Sequence, residues 1–166
     1  MKDLEKLAAE CEADLLSIGI QPGKVNRWIV NTRAKCRWGL CKQYLPGLYD
    51  ISIAERILQD NVSDQAAKNT ILHELLHTVR GCHGHKGKWK ELAAKVNRLL
   101  PQYTIKRATS YEEKGLEYKP KERTNRYAVK CTHCGKEYYR EKESKLIQYP
   151  DKYRCGVCNN PLKRIR

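Results

Sequence analysis

The run His73-Glu74-Leu75-Leu76-His77 has one conformation in which its polar residues act together, and that conformation is an α-helix. On a helix, residues four apart share a face, so His73 and His77 point the same way. Glu74 follows the first histidine and leans into the same cleft. Two imidazoles with a carboxylate beside them make the HExxH pattern, in which the histidines bind zinc and the glutamate takes a proton from zinc-bound water. Zinc lowers the pKa of that water towards 7 and polarises a scissile carbonyl, so a nucleophile exists at neutral pH. The neighbouring residues agree with the helix. Ala66, Ala67, Ile71, Leu72, Leu75 and Leu76 form its buried side, Ser63 offers an N-cap, and Gly81 stops it after about Val79.

A catalytic zinc needs a third protein ligand and one open position. Gly81-Cys82-His83-Gly84-His85 holds the candidates. His83 lies six residues after His77, the metzincin spacing, but that pattern needs Gly where this chain has Arg80. His85 stands just before a second helix, from about Gly87 to Leu99, with Trp89, Leu92, Ala93, Val96 and Leu100 as its apolar stripe. A ligand at a helix entrance is held by a rigid element, which favours His85. Cys82 is a third candidate, although a thiolate would reduce the Lewis acidity of the metal, and it reads better as a small buried residue.

Upstream, Leu4, Leu7, Ala8, Cys11, Leu15 and Ile18 recur at helical spacing, and Gly19 with Pro22-Gly23 ends that helix. Between Val25 and Ile53 the residues turn β-branched and aromatic. They predict short antiparallel strands around Trp28–Thr32, Cys36–Gln43 and Leu48–Ile53. From about Arg107 to Arg126 apolar residues are scarce, which predicts a basic linker.

The tail from Tyr127 to Arg166 carries two further motifs, Cys131-Thr132-His133-Cys134 and Cys155-Gly156-Val157-Cys158. Each CxxC turn offers two thiolates to one tetrahedral metal, and their separation suits a zinc ribbon. So short a module has too little core to fold without such a staple. Four Cys close the coordination shell, so this second zinc is structural, and His133 is a bystander. Glu137–Arg140 and Lys152–Arg154 read as its short strands.

Lys and Arg number 33 against 19 Asp and Glu, a formal net charge of +14. From Pro101 onward there are 17 basic and 8 acidic residues. Such an excess favours an anionic partner, and nucleic acid is the commonest one. In the tail, Arg140, Lys142, Lys145, Lys152, Arg154, Lys163 and Arg164 interleave with Tyr138, Tyr139, Tyr149 and Tyr153. Basic side chains neutralise phosphates and Tyr stacks on unpaired bases, so DNA, single-stranded DNA included, is the expected partner beside protein substrates. The start, Met1-Lys2-Asp3-Leu4-Glu5, has no apolar signal region, and no apolar run is long enough to span a bilayer. A cytoplasmic monomer without a membrane partner is expected. Eight Cys in a reducing compartment argue for zinc rather than disulfides.

The stretch His73 to Cys82, followed by His85 and Trp89-Lys90, resembles the SprT-like family, which includes the Spartan proteases that degrade proteins crosslinked to DNA. Arg37-Trp38-Gly39-Leu40-Cys41 and Tyr49-Asp50-Ile51-Ser52-Ile53 resemble the family's strands before the active-site helix, and Leu92-Ala93 with Val96-Asn97 its next helix. Many relatives have Gly after the third histidine, where this chain has Lys86. The resemblance implies an α+β, zincin-like domain over residues 1–106, a linker over 107–126 and a four-cysteine ribbon over 127–166. It implies His85 as third ligand and a zinc endopeptidase in which Glu74 activates zinc-bound water. It also implies work in DNA-protein crosslink repair, and with the ribbon the expected complement is two zinc ions, one catalytic and one structural, in a compact member of bacterial or phage type. Two competing readings are a nucleic-acid-binding zinc protein without proteolytic activity and a zinc peptidase unrelated to DNA.

Overall fold

The computed structural model describes residues 1–117 and 124–166, which form two compact units dividing between residues 118 and 119. The first unit opens with α1 (Leu4–Ser17), whose first turn is capped by the Asp3 carboxylate accepting from the Lys6 amide. Three strands follow, β1 (Lys24–Asn31), β2 (Gly39–Leu45) and β3 (Leu48–Ala54). Two helices complete the unit, α2 (Asp64–Thr78) and α3 (Lys88–Leu99).

The helices stand where the apolar spacing put them. Ser63 caps α2, its hydroxyl accepting from the Ala66 amide at 3.1 Å, an interaction worth about 1 kcal/mol. Val79 leaves the helix in an extended conformation, and the chain then turns at Gly81 with φ of +88°, a left-handed value that glycine adopts without strain. That turn carries the chain back over the open face of α2.

The sheet is mixed rather than wholly antiparallel. Its order is β1-β3-β2, with β2 and β3 an antiparallel hairpin through Pro46-Gly47 and β1 parallel to β3. Residue alternation marks strands but says nothing about which neighbour a strand takes or in which direction. β3 is paired on both sides and buries Tyr49, Ile51 and Ile53, the face that meets the helices. Ile51 and Ile53 share a core with Leu7, Cys11 and Leu15 of α1, Ile71, Leu72 and Leu75 of α2, and Val96 of α3. The edge strand β2 runs beside α2, with one side paired to β3.

Residues 107–117, expected within a linker, fold onto the first unit. Trp38 Nε1 donates to the Thr109 carbonyl at 3.1 Å, and the Tyr111 ring packs edge-on against Trp38 at 4.6 Å. Lys114 is 3% exposed and donates to the Ala66 carbonyl and the Thr70 hydroxyl of α2. Residues 118–123 of that stretch lie outside the described residues.

The second unit is a three-stranded antiparallel sheet of order β5-β4-β6, with β4 (Tyr127–Cys131), β5 (Glu137–Arg140) and β6 (Leu162–Arg164). A single turn, α4 (Lys145–Gln148), adds Ile147 to a small core with Val129 and Leu162. The predicted strand at Lys152–Arg154 is a 3-10 turn over Pro150–Lys152 and an isolated bridge from Arg154 to Pro161. Pro150 favours that turn over a strand. Overall the chain is α+β, with a C-terminal four-cysteine module compatible with a zinc ribbon. Among the described residues no helix is long and apolar enough to cross a membrane.

Candidate metal centres

α2 places His73 and His77 one turn apart on the face opposite its buried leucines. The Gly81 turn then brings His85 over them. The Nε2 atom of His85 lies 2.8 Å from that of His73 and 3.1 Å from that of His77. His83 is exposed and lines the same cleft without joining this group. Cys82 is buried, as its size suggests, and contributes its backbone carbonyl rather than its thiol.

The hydrogen bonds around the imidazoles decide which nitrogens face inward. His73 Nδ1 is 2.9 Å from the Lys106 carbonyl and His77 Nδ1 is 2.8 Å from the Cys82 carbonyl. A carbonyl only accepts, so each Nδ1 carries the proton and each Nε2 presents a lone pair. Burial, reinforced by the neighbouring imidazoles, pushes His73 down to about 4. Burial lowers His77 and His85 as well. Neutral imidazoles with lone pairs converging within about 3 Å repel one another unless a cation sits between them. Orientation of ligand histidines by backbone carbonyls is the usual outer-shell arrangement of a metal site. The three histidines therefore fit a zinc ion with one position left open. Trp89 of α3 forms the floor, stacked on His77 at 5.5 Å and edge-on to His73 and His85 at 4.8 and 4.7 Å. It reads from sequence as an ordinary core residue, and it shields the imidazoles from solvent on that side.

Glu74 points from α2 towards β2. It is 7% exposed, and burial pushes its carboxyl up to about 7 against the hydrogen bond it accepts from the Cys41 amide and the charge of Arg37. A cation on the three imidazoles would act in the opposite sense. Gly39 makes the room. A Cβ there would lie 2.5 Å from Glu74 Oε1 and 2.6 Å from its Cγ. β2 thus holds the carboxylate in two ways, by the missing side chain of Gly39 and by the backbone N–H of Cys41.

Two cavities meet at His73, Glu74 and Gly39. One, about 320 Å³, runs along β2 past His77 and His85. The other, about 270 Å³, extends under residues 104–109. An extended chain laid along the free edge of β2 would pass from one to the other across the histidines.

The second unit gathers Cys131, Cys134, Cys155 and Cys158. The Cys131 and Cys158 sulfurs are 3.4 Å apart and those of Cys134 and Cys155 3.5 Å apart, too far for a disulfide at about 2.05 Å. The amides of His133 and Cys134 donate to Cys131 Sγ, and that of Val157 to Cys155 Sγ. Such bonds favour thiolates. Hydrogen bonds from Asn160 hold Cys158 well below the usual thiol range. Four sulfurs with amide support fit a tetrahedral zinc. His133 is exposed and outside the group.

Arg140, Lys142, Lys145, Lys152, Arg154, Lys163 and Arg164 are all exposed. Arg164 pairs with Glu143 at 2.9 Å, and Lys152 lies over the Tyr149 ring at 4.8 Å. Tyr139, Tyr149 and Tyr153 are large aromatic surfaces open to solvent.

The SprT-like family model matches residues 15–109. The protein called Protein SprT-like of Bacillus subtilis (strain 168) is 30% identical over 141 residues, covering 82% of this chain and 81% of that protein. No solved structure gives a significant match.

Proposed function

The chain belongs to the SprT-like family, and on that premise we propose that it is a zinc-dependent endopeptidase acting on proteins bound or crosslinked to DNA. The observation that carries this reading is the convergence of three Nε2 atoms beside a buried carboxylate in an open cleft. His73, His77 and His85 would hold the catalytic zinc, and Cys131, Cys134, Cys155 and Cys158 a structural one. Zinc at the histidines would supply Lewis acidity, polarising the scissile carbonyl and making water a competent nucleophile near neutral pH.

The remaining steps belong to the chain itself. Lys106 and Cys82 hold the His73 and His77 imidazoles in the ligating tautomer through their carbonyls. Glu74 accepts a proton from the attacking water and returns it to the departing amine as the C–N bond breaks. Gly39 and Cys41 fix the carboxylate for both transfers. Gly39→Ala is therefore expected to lower kcat by about tenfold or more while zinc content is unchanged, because the group that must yield to the new Cβ is Glu74. A Gly39→Ala protein with wild-type kcat contradicts this role.

The DNA part of the reading rests on the basic, Tyr-bearing surface of the second unit. Binding there would raise the local concentration of a DNA-bound substrate, so the cleft itself need not be selective. Cleavage of a DNA-bound protein should rise when single-stranded DNA is added, fall with salt, and lose its DNA dependence when Arg140, Lys142, Lys152 and Arg154 are replaced by Gln. Cleavage indifferent to DNA and to those changes assigns a peptidase with no link to DNA. DNA binding without cleavage under any condition assigns a binding protein.

A further inference from the structure

The cavity under residues 104–109 is built, and its charge is not balanced. Its roof is tied down at several points. The Lys106 carbonyl holds His73, the Thr109 carbonyl holds Trp38, and the Thr104 amide donates to Asn69 at 3.0 Å. Arg56 lies over the Trp38 ring at 4.2 Å and donates to the Tyr111 hydroxyl. Lys114 fastens the far end to α2. The walls are thus preformed.

Four cationic side chains line this space, Arg37, Lys106, Arg107 and Lys114, and the only carboxylate among them is Glu74. Lys106 is paired with Glu113. Among the described residues no carboxylate hydrogen-bonds to Arg37 or Arg107. Lys114 is the telling member. It is 3% exposed, and both of its hydrogen-bond acceptors, the Ala66 carbonyl and the Thr70 hydroxyl, are neutral. Buried charges are normally paired, because desolvation without a counter-charge is costly. Burial accordingly pulls Lys114 down to about 8, offset only in part by Glu113. An anion entering from the cleft would supply the missing partner.

We propose that this cavity is a substrate subsite that takes an acidic side chain, Asp or Glu, of the polypeptide being cleaved, recognised by Arg37, Arg107 and Lys114. The inference rests on the peptidase reading and adds a preference to it. A side chain is favoured over a nucleic-acid phosphate by the shape of the site. It is a pocket of about 270 Å³ opening beside His73 and Glu74, where a peptide backbone would lie, rather than a groove that follows a sugar-phosphate chain.

The test uses zinc-loaded full-length protein and peptidyl hydroxamates, whose hydroxamate chelates the metal, so affinity is read without turnover. Two pairs are compared by calorimetry. Within each pair the peptides differ only by Glu or Gln, at the residue next to the hydroxamate in one pair and at the following residue in the other. The expected result is about tenfold tighter binding of Glu in one pair, with the ratio falling towards one in Arg107→Gln and in Lys114→Met. Arg107 is exposed, so its variant folds even if the Lys114 variant does not. Equal binding of Glu and Gln in both pairs, or a preference that survives both substitutions, overturns the inference and leaves the peptidase reading intact. A short single-stranded oligonucleotide that abolishes the Glu preference at saturation would assign the cations to phosphate and also overturn it. Failure of every hydroxamate to bind overturns both.

Discussion

Replacing Glu74 by Gln should keep zinc at the three histidines and reduce cleavage by about a hundredfold to ten-thousandfold, the range that general acid-base catalysis contributes. Gln has nearly the shape of Glu and can still accept from the Cys41 amide, but it cannot take up a proton. The substitution also removes a buried carboxyl that burial pushes up to about 7, so it should not destabilise the first unit. Zinc content, thermal unfolding and cleavage measured on one preparation separate the roles. A Glu74→Gln protein that cleaves at the wild-type rate would show that this carboxylate is not the base. One that loses zinc together with activity would show a structural part for Glu74 in the site.

The second large effect concerns the tail. Replacing Cys155 by Ser should abolish folding of residues 124–166, because the remaining core is Val129, Ile147 and Leu162 with partly buried neighbours. Structural zinc contributes an apparent 10–16 kcal/mol or so to small modules, far more than such a core supplies. Zinc per chain should fall from two to one, and amides of β4 and β5 should lose protection from hydrogen exchange. The basic side chains remain after unfolding, so weak, salt-sensitive DNA binding should persist while tighter binding that needs ordered Tyr surfaces is lost. A Cys155→Ser tail that keeps its protected amides would contradict the metal as its staple.

The parts of this molecule that were legible in the sequence are those where one residue type has one job at fixed spacing. The helix of His73 and His77 announces itself through period and cap, and the four Cys through their paired turns. From the residues alone, His85 is favoured because it precedes a helix and because Arg80 stands where the pattern using His83 needs Gly, while the turn at Gly81 that carries His85 back over α2 is a tertiary feature. What orients the site was illegible for a different reason. The carbonyls of Lys106 and Cys82 are backbone atoms, so any residue could supply them. Gly39 acts by lacking a side chain, and its meaning depends on the 2.5 Å to a residue 35 positions later. Residues 107–117 look solvated by composition, yet Trp38, Arg56 and Thr70 give them long-range partners that no local pattern encodes. Direction of pairing between β1 and β3 is likewise a tertiary choice.

The most direct test of the central claim is zinc stoichiometry followed through stripping and restoration, with cleavage of a DNA-bound protein read at each stage. Two zinc ions per chain are expected. Removal of the ion held by His73, His77 and His85 should abolish cleavage, and zinc alone should restore it. A chain that holds one zinc, lost only when the tail unfolds, and that cleaves nothing with or without single-stranded DNA would contradict that claim.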